Sequence, residues 1–181
     1  YRYFETFARD RVLYPFGFGL GYSKFEREFV KANLENDTVS ITVKATNISD
    51  YCGKDVLQLY ASQPQGKLGK PAKVLCGFEK TNALKNGESQ EATINIPLYA
   101  ISSYDDSGKS GHKSCYVLEG GEYSFYLGGN ARDCEKVWSF TLPETRVIEE
   151  LKEASAPQYS FERMVAKEEN GKITYDFESV P

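Results

Sequence analysis

The stretch Val39-Ser40-Ile41-Thr42-Val43-Lys44-Ala45-Thr46 decides the fold class of this chain. Apolar and polar side chains alternate along its whole length. A period of two places the apolar side chains on one face of an extended chain, whereas a helix would scatter them around its circumference. β-Branched residues also favour strands. The stretch therefore predicts a β-strand with one buried face and one solvated face.

Similar stretches recur on both sides of this strand, at intervals of roughly ten residues. Turn residues such as Asn86-Gly87 and Gly120-Gly121 separate them. The predicted strands are Phe25–Leu34, Val39–Thr46, Asp55–Ser62, Ala72–Lys80, Glu91–Leu98, Cys115–Leu118, Glu122–Gly128 and Cys134–Leu142. About seven to eight short strands at this spacing predict an all-β fold, an antiparallel β-sandwich. Trp138 is predicted to anchor its core.

Residues 1–24, before the first predicted strand, are rich in glycine and aromatic residues. The sequence Tyr14-Pro15-Phe16-Gly17-Phe18-Gly19-Leu20-Gly21-Tyr22 carries glycine at alternating positions, which breaks any regular helix. Exposed in isolation, such a loop would form a sizeable apolar patch. We therefore expect its aromatic side chains to be buried against a neighbour.

The character of the chain changes again after Pro143. Val147, Ile148 and Leu151 have helical spacing and predict a helix over Glu144–Ala154. Phe161–Phe177 is predicted to form a β-hairpin around Asn170-Gly171, a strong two-residue turn signal. This C-terminal tail is not expected to be part of the sandwich.

Composition excludes several functional classes. The chain has 181 residues, a net charge of −4 and 40% hydrophobic residues, which is typical of a globular domain and not of a nucleic-acid-binding one. The sequence has no apolar run long enough for a membrane helix. The cysteines Cys52, Cys76, Cys115 and Cys134 show no CxxC spacing, so we expect reduced thiols and no metal site. A bacterial cytoplasmic location is therefore favoured over secretion.

The residue types that carry chemistry have simpler interpretations here. His112 lies in a Ser/Gly/Lys-rich loop without a nearby triad partner, so we expect it to be solvated. Asp105-Asp106 lacks the alternating oxygen ligands of a calcium loop and is interpreted as turn chemistry. Glu119 and Glu122 flank a tight turn and are expected to be solvated. No catalytic residue, cofactor or metal ligand is predicted.

Several motifs together resemble the family 3 glycoside hydrolases. The segment Pro15-Phe16-Gly17-Phe18-Gly19-Leu20-Gly21-Tyr22 is similar to that family's Pro-Phe-Gly-Tyr-Gly-Leu-Ser-Tyr stretch, with Gly21 in place of Ser. Gly53-Lys54-Asp55-Val56-Leu57-Gln58-Leu59-Tyr60 is similar to its Gly-Lys-Glu-Val-Val-Gln-Leu-Tyr strand. Further matches, in the same order as in the family, are Tyr1–Thr6, Pro71–Lys80, Leu84–Ser89 and Gly120–Gly129, with Asn86 and Gly120 each replacing a Pro. The resemblance covers roughly residues 1–142.

This resemblance implies the fold and the domain organisation. Residues 1–24 would be the end of an α/β sandwich domain and a linker, residues 25–142 a fibronectin type III-like β-sandwich of the immunoglobulin class, and residues 143–181 a connector with a helix and a hairpin. Because the family resemblance ends before this connector, it implies an inverted domain order, in which the connector leads on to the catalytic barrel.

The resemblance also implies a function. The parent would be a retaining β-glycosidase, most commonly a β-glucosidase, whose catalytic carboxylates lie outside this chain. The module would then be a non-catalytic structural unit, its partners being the catalytic domains of the same polypeptide and, for the parent, an oligosaccharide or glucoside substrate. Tyr14, Phe16, Phe18 and Tyr22 are the predicted interdomain contacts. The alternative is a carbohydrate-binding or adhesion sandwich with no hydrolase partner, which needs an exposed aromatic platform.

Overall fold

A computed structural model describes residues 1–180; Pro181, the last residue of the predicted connector, lies outside the described residues. Seven strands form two antiparallel sheets. One sheet has the order β1-β2-β5 and the other the order β4-β3-β8-β9. Their bounds are β1 Phe25–Glu35, β2 Thr38–Asn47, β3 Val56–Ser62, β4 Val74–Lys80, β5 Ser89–Pro97, β8 Gly121–Gly128 and β9 Cys134–Leu142.

The two sheets pack face to face around one core, which confirms the predicted sandwich. The core takes alternate residues from strands of both sheets, as the period of two requires. Its fully buried members include Val39, Ile41, Val43, Leu57, Leu59, Ile96, Tyr123 and Phe125. Trp138 is partly buried and lies against this core beside Phe125 and Phe140, with ring centroids 5.8 Å from each. Trp138 therefore lies at the border of the core, whereas the sequence predicted that it would anchor the core.

Two predicted turns have the expected backbone chemistry. Asn170 and Gly171 have φ values of 52° and 73°, as the type I′ turn of a two-residue hairpin needs. They join β11, Phe161–Glu169, to β12, Lys172–Val180, so the predicted C-terminal hairpin is confirmed. Asn86-Gly87 turns the chain ahead of β5, and the amide of Glu88 donates a hydrogen bond to the carbonyl of Lys85 over 3.0 Å.

The predicted helix over Glu144–Ala154 is wrong. Arg146–Glu150 forms a strand, β10, that pairs antiparallel with β7, Cys115–Leu118. A third strand, β6, covers Ser103–Asp105 and completes a small sheet of order β10-β7-β6, after a 3₁₀ turn at Leu98–Ile101. The free edge of β7 offers unpaired backbone groups to this segment, and β-branched Val147 and Ile148 are better suited to a strand than to a helix.

Glu119 is buried, which corrects the expectation that it is solvated. Its side chain is 6% exposed and lies 2.9 Å from the Nζ atom of Lys70, whose side chain is 4% exposed. The backbone amides of Lys67 and Leu68 also donate hydrogen bonds to the Glu119 carboxylate, over 2.7 and 3.3 Å. This carboxylate therefore holds the loop between β3 and β4 on the sandwich. Glu122, by contrast, is exposed and pairs with Lys136.

Asp105 has the turn role that the sequence predicted, and it is fully buried. Its carboxylate accepts hydrogen bonds from the backbone amides of Ser107, Gly108, Lys109 and Ser110 and from two serine hydroxyls. Burial alone would raise the pKa of Asp105, but these hydrogen bonds outweigh it and lower the pKa. A carboxylate satisfied in this way shapes the loop that follows it.

The remaining residues that sequence analysis singled out are dispersed. His112 is exposed in the same loop, as expected. Over residues 1–180, the four cysteines are unpaired, and no group of three or more metal-ligating side chains occurs. Cys115 is buried and Cys76 is half-buried, and burial raises the pKa of the Cys76 thiol to about 12. No helix in that described range has the length and apolar character needed to cross a membrane.

The substitution Lys70→Met tests the buried ion pair. It leaves the buried Glu119 carboxylate without its counter-charge, so we expect the free energy of unfolding to fall by about 3–5 kcal/mol. Lys136→Met is the matched control, because it breaks an ion pair that lies in solvent, where the contribution is small. Urea denaturation of both variants measures the difference. Equal effects of the two substitutions would contradict a structural role for Lys70.

Candidate functional site

A cluster of polar groups on the sandwich binds the N-terminal segment, residues 1–18. The segment starts with a short helix, α1, over Arg2–Phe7 and a 3₁₀ turn at Arg9–Arg11. It then crosses the outer face of β3, the strand whose inner face contributes Leu57 and Leu59 to the core. Because of this cover, β3 is buried on both faces along most of its length.

Gln58 and Tyr60 project from the outer face of β3 and bind the backbone of this segment. Gln58 Nε2 donates hydrogen bonds to the carbonyls of Gly17 (3.1 Å) and Gly129 (2.7 Å). Tyr60 Oη lies 2.6 Å from Gln58 Oε1 and 3.3 Å from the carbonyl of Phe16. Burial raises the pKa of Tyr60, so its hydroxyl stays protonated as a donor. The amide of Ala131 also donates to the Phe16 carbonyl, over 2.9 Å.

A second contact holds the helix end of the segment. Arg132 Nε lies 3.1 and 3.0 Å from the two carboxylate oxygens of Glu5, which is buried at 6% exposure. The guanidinium also donates to the carbonyls of Arg9 (2.8 Å) and Val12 (3.4 Å). A carboxylate this buried needs such a partner. We call Gln58, Tyr60, Ala131 and Arg132 the N-terminal clamp; it binds the backbone of the segment and the carboxylate of Glu5.

The clamp binds backbone and leaves aromatic side chains on the surface. The predicted contact residues Tyr14, Phe16, Phe18 and Tyr22 are 63%, 39%, 43% and 87% exposed. Tyr14 and Phe18 contact each other, with ring centroids 5.0 Å apart, and Phe16 stacks on Tyr1 at 3.9 Å. Tyr22 lies against Tyr51 at 6.1 Å. The structure thus brings these residues to one segment, on which Tyr14 and Tyr22 are mostly exposed and Phe16 and Phe18 about two fifths exposed.

The end of this segment borders an open cleft of about 650 Å³. Its walls include Gly17, residues 19–25 and residues 53–56, which lead into β3. Arg27 and Asp55 lie in the wall as a bidentate ion pair, with N–O distances of 2.8 and 2.7 Å. The charges of this pair are mutually satisfied, so the cleft offers a shaped surface for packing and no free nucleophile or base at this pair.

Sequence reasoning found the exposed aromatic residues but missed the clamp that positions them. Gln58 and Tyr60 lie in a strand motif that was recognised, but the motif does not indicate what their side chains bind. Arg132 and Glu5 are 127 residues apart, and nothing local signals their pairing. Two polar residues with large side chains at alternate positions of an otherwise apolar strand were the available signal.

Comparisons with known proteins find the same fold in other proteins. Residues 55–131 match the fibronectin type III-like domain family. The chain is 49% identical to a β-glucosidase of Ruminococcus albus over 165 residues, which are 91% of this chain and 17% of that protein. It superposes on the crystal structure of a β-glucosidase from Paenibacillus barengoltzii with a TM-score of 0.94 and 43% identity, covering 99% of this chain and 21% of that one. For β-glucosidase 3B of Thermotoga neapolitana the TM-score is 0.72 and the identity 31%, with 82% of this chain covered.

The sandwich with its clamped N-terminal segment is therefore a fibronectin type III-like β-sandwich domain with extensions at both ends. Residues 55–131 match that domain family, and the predicted resemblance to the family 3 glycoside hydrolases is confirmed, here through their β-glucosidases. The chain spans about a fifth of the length of the relatives that it matches.

The substitution Gly17→Ala tests the clamp. Gly17 has a φ of +84°, and a Cβ atom there would lie 2.1 Å from Gln58 Oε1. The left-handed backbone alone costs an alanine about 1–2 kcal/mol, and the clash displaces the Gln58 side chain. We expect faster hydrogen–deuterium exchange of the Ala131 amide, measured by mass spectrometry. Gly19→Ala is the control, because no atom lies within 4 Å of its Cβ position. Unchanged exchange in Gly17→Ala would show that the clamp does not hold the segment.

Proposed function

We propose that this chain is a non-catalytic structural module of a retaining β-glucosidase. The observation that carries the proposal is the N-terminal clamp, which fixes a segment rich in exposed aromatic residues on a chain that matches about a fifth of several β-glucosidases. The parent would hydrolyse β-linked glucosides with two carboxylates, one as nucleophile and one as acid/base. Both would lie in domains outside this chain.

Several carboxylates of this module are engaged in structural contacts, which supports a non-catalytic role. Glu119 and Asp105 are buried and saturated with hydrogen bonds, and Glu5 is bound by Arg132. Glu119 and Glu122, the two carboxylates near one turn, differ in environment: one is buried under a loop and the other is in solvent. A glycosidase needs two carboxylates facing one substrate across a cleft. These two do not face each other across a common pocket.

The catalytic domains of the same polypeptide are the proposed cover of Tyr14, Phe16, Phe18 and Tyr22. Large exposed aromatic patches are rare on surfaces that remain in water. A segment held rigidly by hydrogen bonds loses little conformational entropy on docking, so its aromatic side chains contribute to association efficiently. The module would then act as a buttress that fixes the relative positions of the catalytic domains.

The inverted domain order remains part of this proposal. Tail residues 143–180 include β10 and the β11–β12 hairpin, and the solved structure that covers 99% of the chain includes them, whereas another solved relative covers only 82%. We propose that the tail leads from this module to the catalytic barrel. Reading the coding sequence on both sides of residues 1–181 tests that order, and a barrel encoded upstream would contradict it.

We also propose a cytoplasmic location in a bacterial cell. The cysteine thiols support it through their surroundings, since the Sγ atoms of Cys76 and Cys134 donate hydrogen bonds to the carbonyls of Leu59 and Ala131. Thiols persist in reducing compartments. Fractionation of cells that produce the complete polypeptide is the direct test, and recovery from the medium would contradict this location.

Activity measurements test the proposed function. We expect the complete polypeptide to hydrolyse p-nitrophenyl β-D-glucoside and to release the β-anomer first, as NMR detects, because retention follows from a covalent intermediate. Residues 1–181 alone should show no hydrolysis.

The alternative is a carbohydrate-binding module, for which the cluster of Tyr99, Tyr104 and Tyr116 is the relevant observation. Its rings are tilted by 50° and 53° and form no flat platform. Calorimetric binding of cello-oligosaccharides to the chain, without hydrolysis by the complete polypeptide, would favour that alternative.

The substitution Tyr22→Ala tests the interdomain contact. Tyr22 is 87% exposed on this chain, so truncation should change its free energy of unfolding by less than about 0.5 kcal/mol. In the complete polypeptide we expect a loss of about 2 kcal/mol, because a ring buried between domains is removed. Tyr159→Ala is the matched control, an 83% exposed tyrosine in the tail. Thermal unfolding is measured for both substitutions in the 181-residue chain and in the complete polypeptide, each against the unsubstituted protein. An equal, small effect of Tyr22→Ala in both contexts would contradict the contact.

A further inference from the structure

The β11–β12 hairpin has two chemically different faces. Strand register places Arg163, Val165, Glu178 and Val180 on one face. Val165 and Val180 are buried, at 5% and 2% exposure. Arg163 forms an ion pair with Asp106, and Glu178 forms one with Lys109, both partners lying in the loop after β6. Around these four residues the face packs on the rest of the module, whereas Phe161 and the Lys167–Asp176 ion pair of the same face remain exposed.

The opposite face of the hairpin carries a partly exposed cluster of apolar side chains, with Glu162, Glu168 and Ser179 beside it. Register places Met164 opposite Phe177 and Ala166 opposite Tyr175 on this face. Met164, Tyr175 and Phe177 are 41%, 49% and 56% exposed. We call these three residues the hairpin face. Helix α1 borders it through Tyr3 and Phe7, whose ring centroids lie 6.3 and 5.3 Å from that of Tyr175.

This arrangement is the reverse of what a hairpin facing water requires. A two-stranded sheet on a surface usually turns its apolar side inward and its charged side to solvent. Here the charged pairs Arg163–Asp106 and Lys109–Glu178 lie on the inner side with two buried valines, and the rings of Tyr175 and Phe177 lie partly exposed on the outer side. A contiguous aromatic surface of this kind marks a protein-interaction site.

We propose that the hairpin face docks on another domain of the same polypeptide, as a second interdomain contact distinct from Tyr14, Phe16, Phe18 and Tyr22. The proposal rests on the proposed function, because the partner is a domain of the parent enzyme. Two contact surfaces on opposite extensions of the sandwich would prevent the module from pivoting about either one.

Three observations identify the occupant. About four fifths of the length of the matched β-glucosidases lies outside this chain, so a large partner within the same polypeptide exists in those relatives. The TM-score of 0.94 over 99% of the chain places the hairpin in the same position within a solved β-glucosidase. Tyr1, which directly precedes α1, stacks on Phe16 at 3.9 Å, so the N-terminal segment that borders the hairpin face also carries the proposed first contact.

Oxidation of Met164 can report the exposure of the hairpin face, since it is the only methionine of residues 1–181. These residues enclose their own hydrophobic core, so the 181-residue chain provides the uncovered reference state. Dilute hydrogen peroxide should oxidise Met164 readily in the chain and about tenfold more slowly in the complete polypeptide, because oxidation follows exposure. Peptide mass spectrometry gives both rates. Hydroxyl-radical labelling of Tyr175 and Phe177 should fall in parallel, while labelling of Tyr159 stays equal in both proteins.

The outcomes separate this inference from the proposed function. Equal oxidation of Met164 in both proteins overturns the inference, even if the complete polypeptide is an active β-glucosidase. Protection of Met164 in an inactive complete polypeptide supports the inference and contradicts the proposed function. Protection that grows with the concentration of the 181-residue chain overturns it in favour of a second copy of the chain.

The substitution Phe177→Ser adds an independent check. In the complete polypeptide it should restore much of the Met164 oxidation rate by loosening the contact, whereas Tyr159→Ser should leave the rate unchanged. Unaltered protection in a folded Phe177→Ser protein would overturn the role of this face. Should Phe177→Ser not fold, the comparison of the two unsubstituted proteins still decides the proposal.

Discussion

Contact between the apolar faces of the two main sheets is the interaction on which the rest of this structure depends. It fixes β3 in the middle of one sheet, with Leu57 and Leu59 in the core. Because side chains alternate along a strand, fixing the inner residues also fixes Gln58 and Tyr60 on the outer face. The clamp on the N-terminal segment is therefore a consequence of core packing: the same strand that fills the core supplies its two central hydrogen-bonding side chains.

Buried charges attach the irregular segments to this frame. Glu119 with Lys70 holds the loop between β3 and β4, Asp105 shapes the loop after β6, and Glu5 with Arg132 holds α1. Each of these carboxylates is paired or saturated with hydrogen bonds, as burial of a charge requires. Such contacts contribute little net stability compared with apolar packing, but they accept only one arrangement of donors. They give the loops and extensions defined positions, which a module that joins other domains needs.

Two apolar surfaces lie on these extensions, outside the sandwich core. One surface, formed by the aromatic residues of the N-terminal segment, projects from the clamp; the hairpin face projects from the C-terminal tail. Hydrogen bonds and ion pairs help to attach both segments to the sandwich, and a large part of each aromatic surface remains exposed. Aromatic side chains that stay exposed on firmly attached segments fit a part of a larger enzyme better than a free-standing protein.

Local sequence determined the strands and turns of the sandwich, because alternation and turn chemistry act between residues close in the chain. Val39–Thr46 and Asn170-Gly171 are examples in which period and backbone preference settled the structure. Tertiary structure decided the rest. Val147, Ile148 and Leu151 fit a helical period, but the open edge of β7 made Arg146–Glu150 a strand. Glu119 resembled a solvated turn residue until the loop carrying Lys70 folded over it, and Glu5 met Arg132 across 127 residues. Burial and long-range pairing depend on which elements meet in space, and no local pattern encodes that.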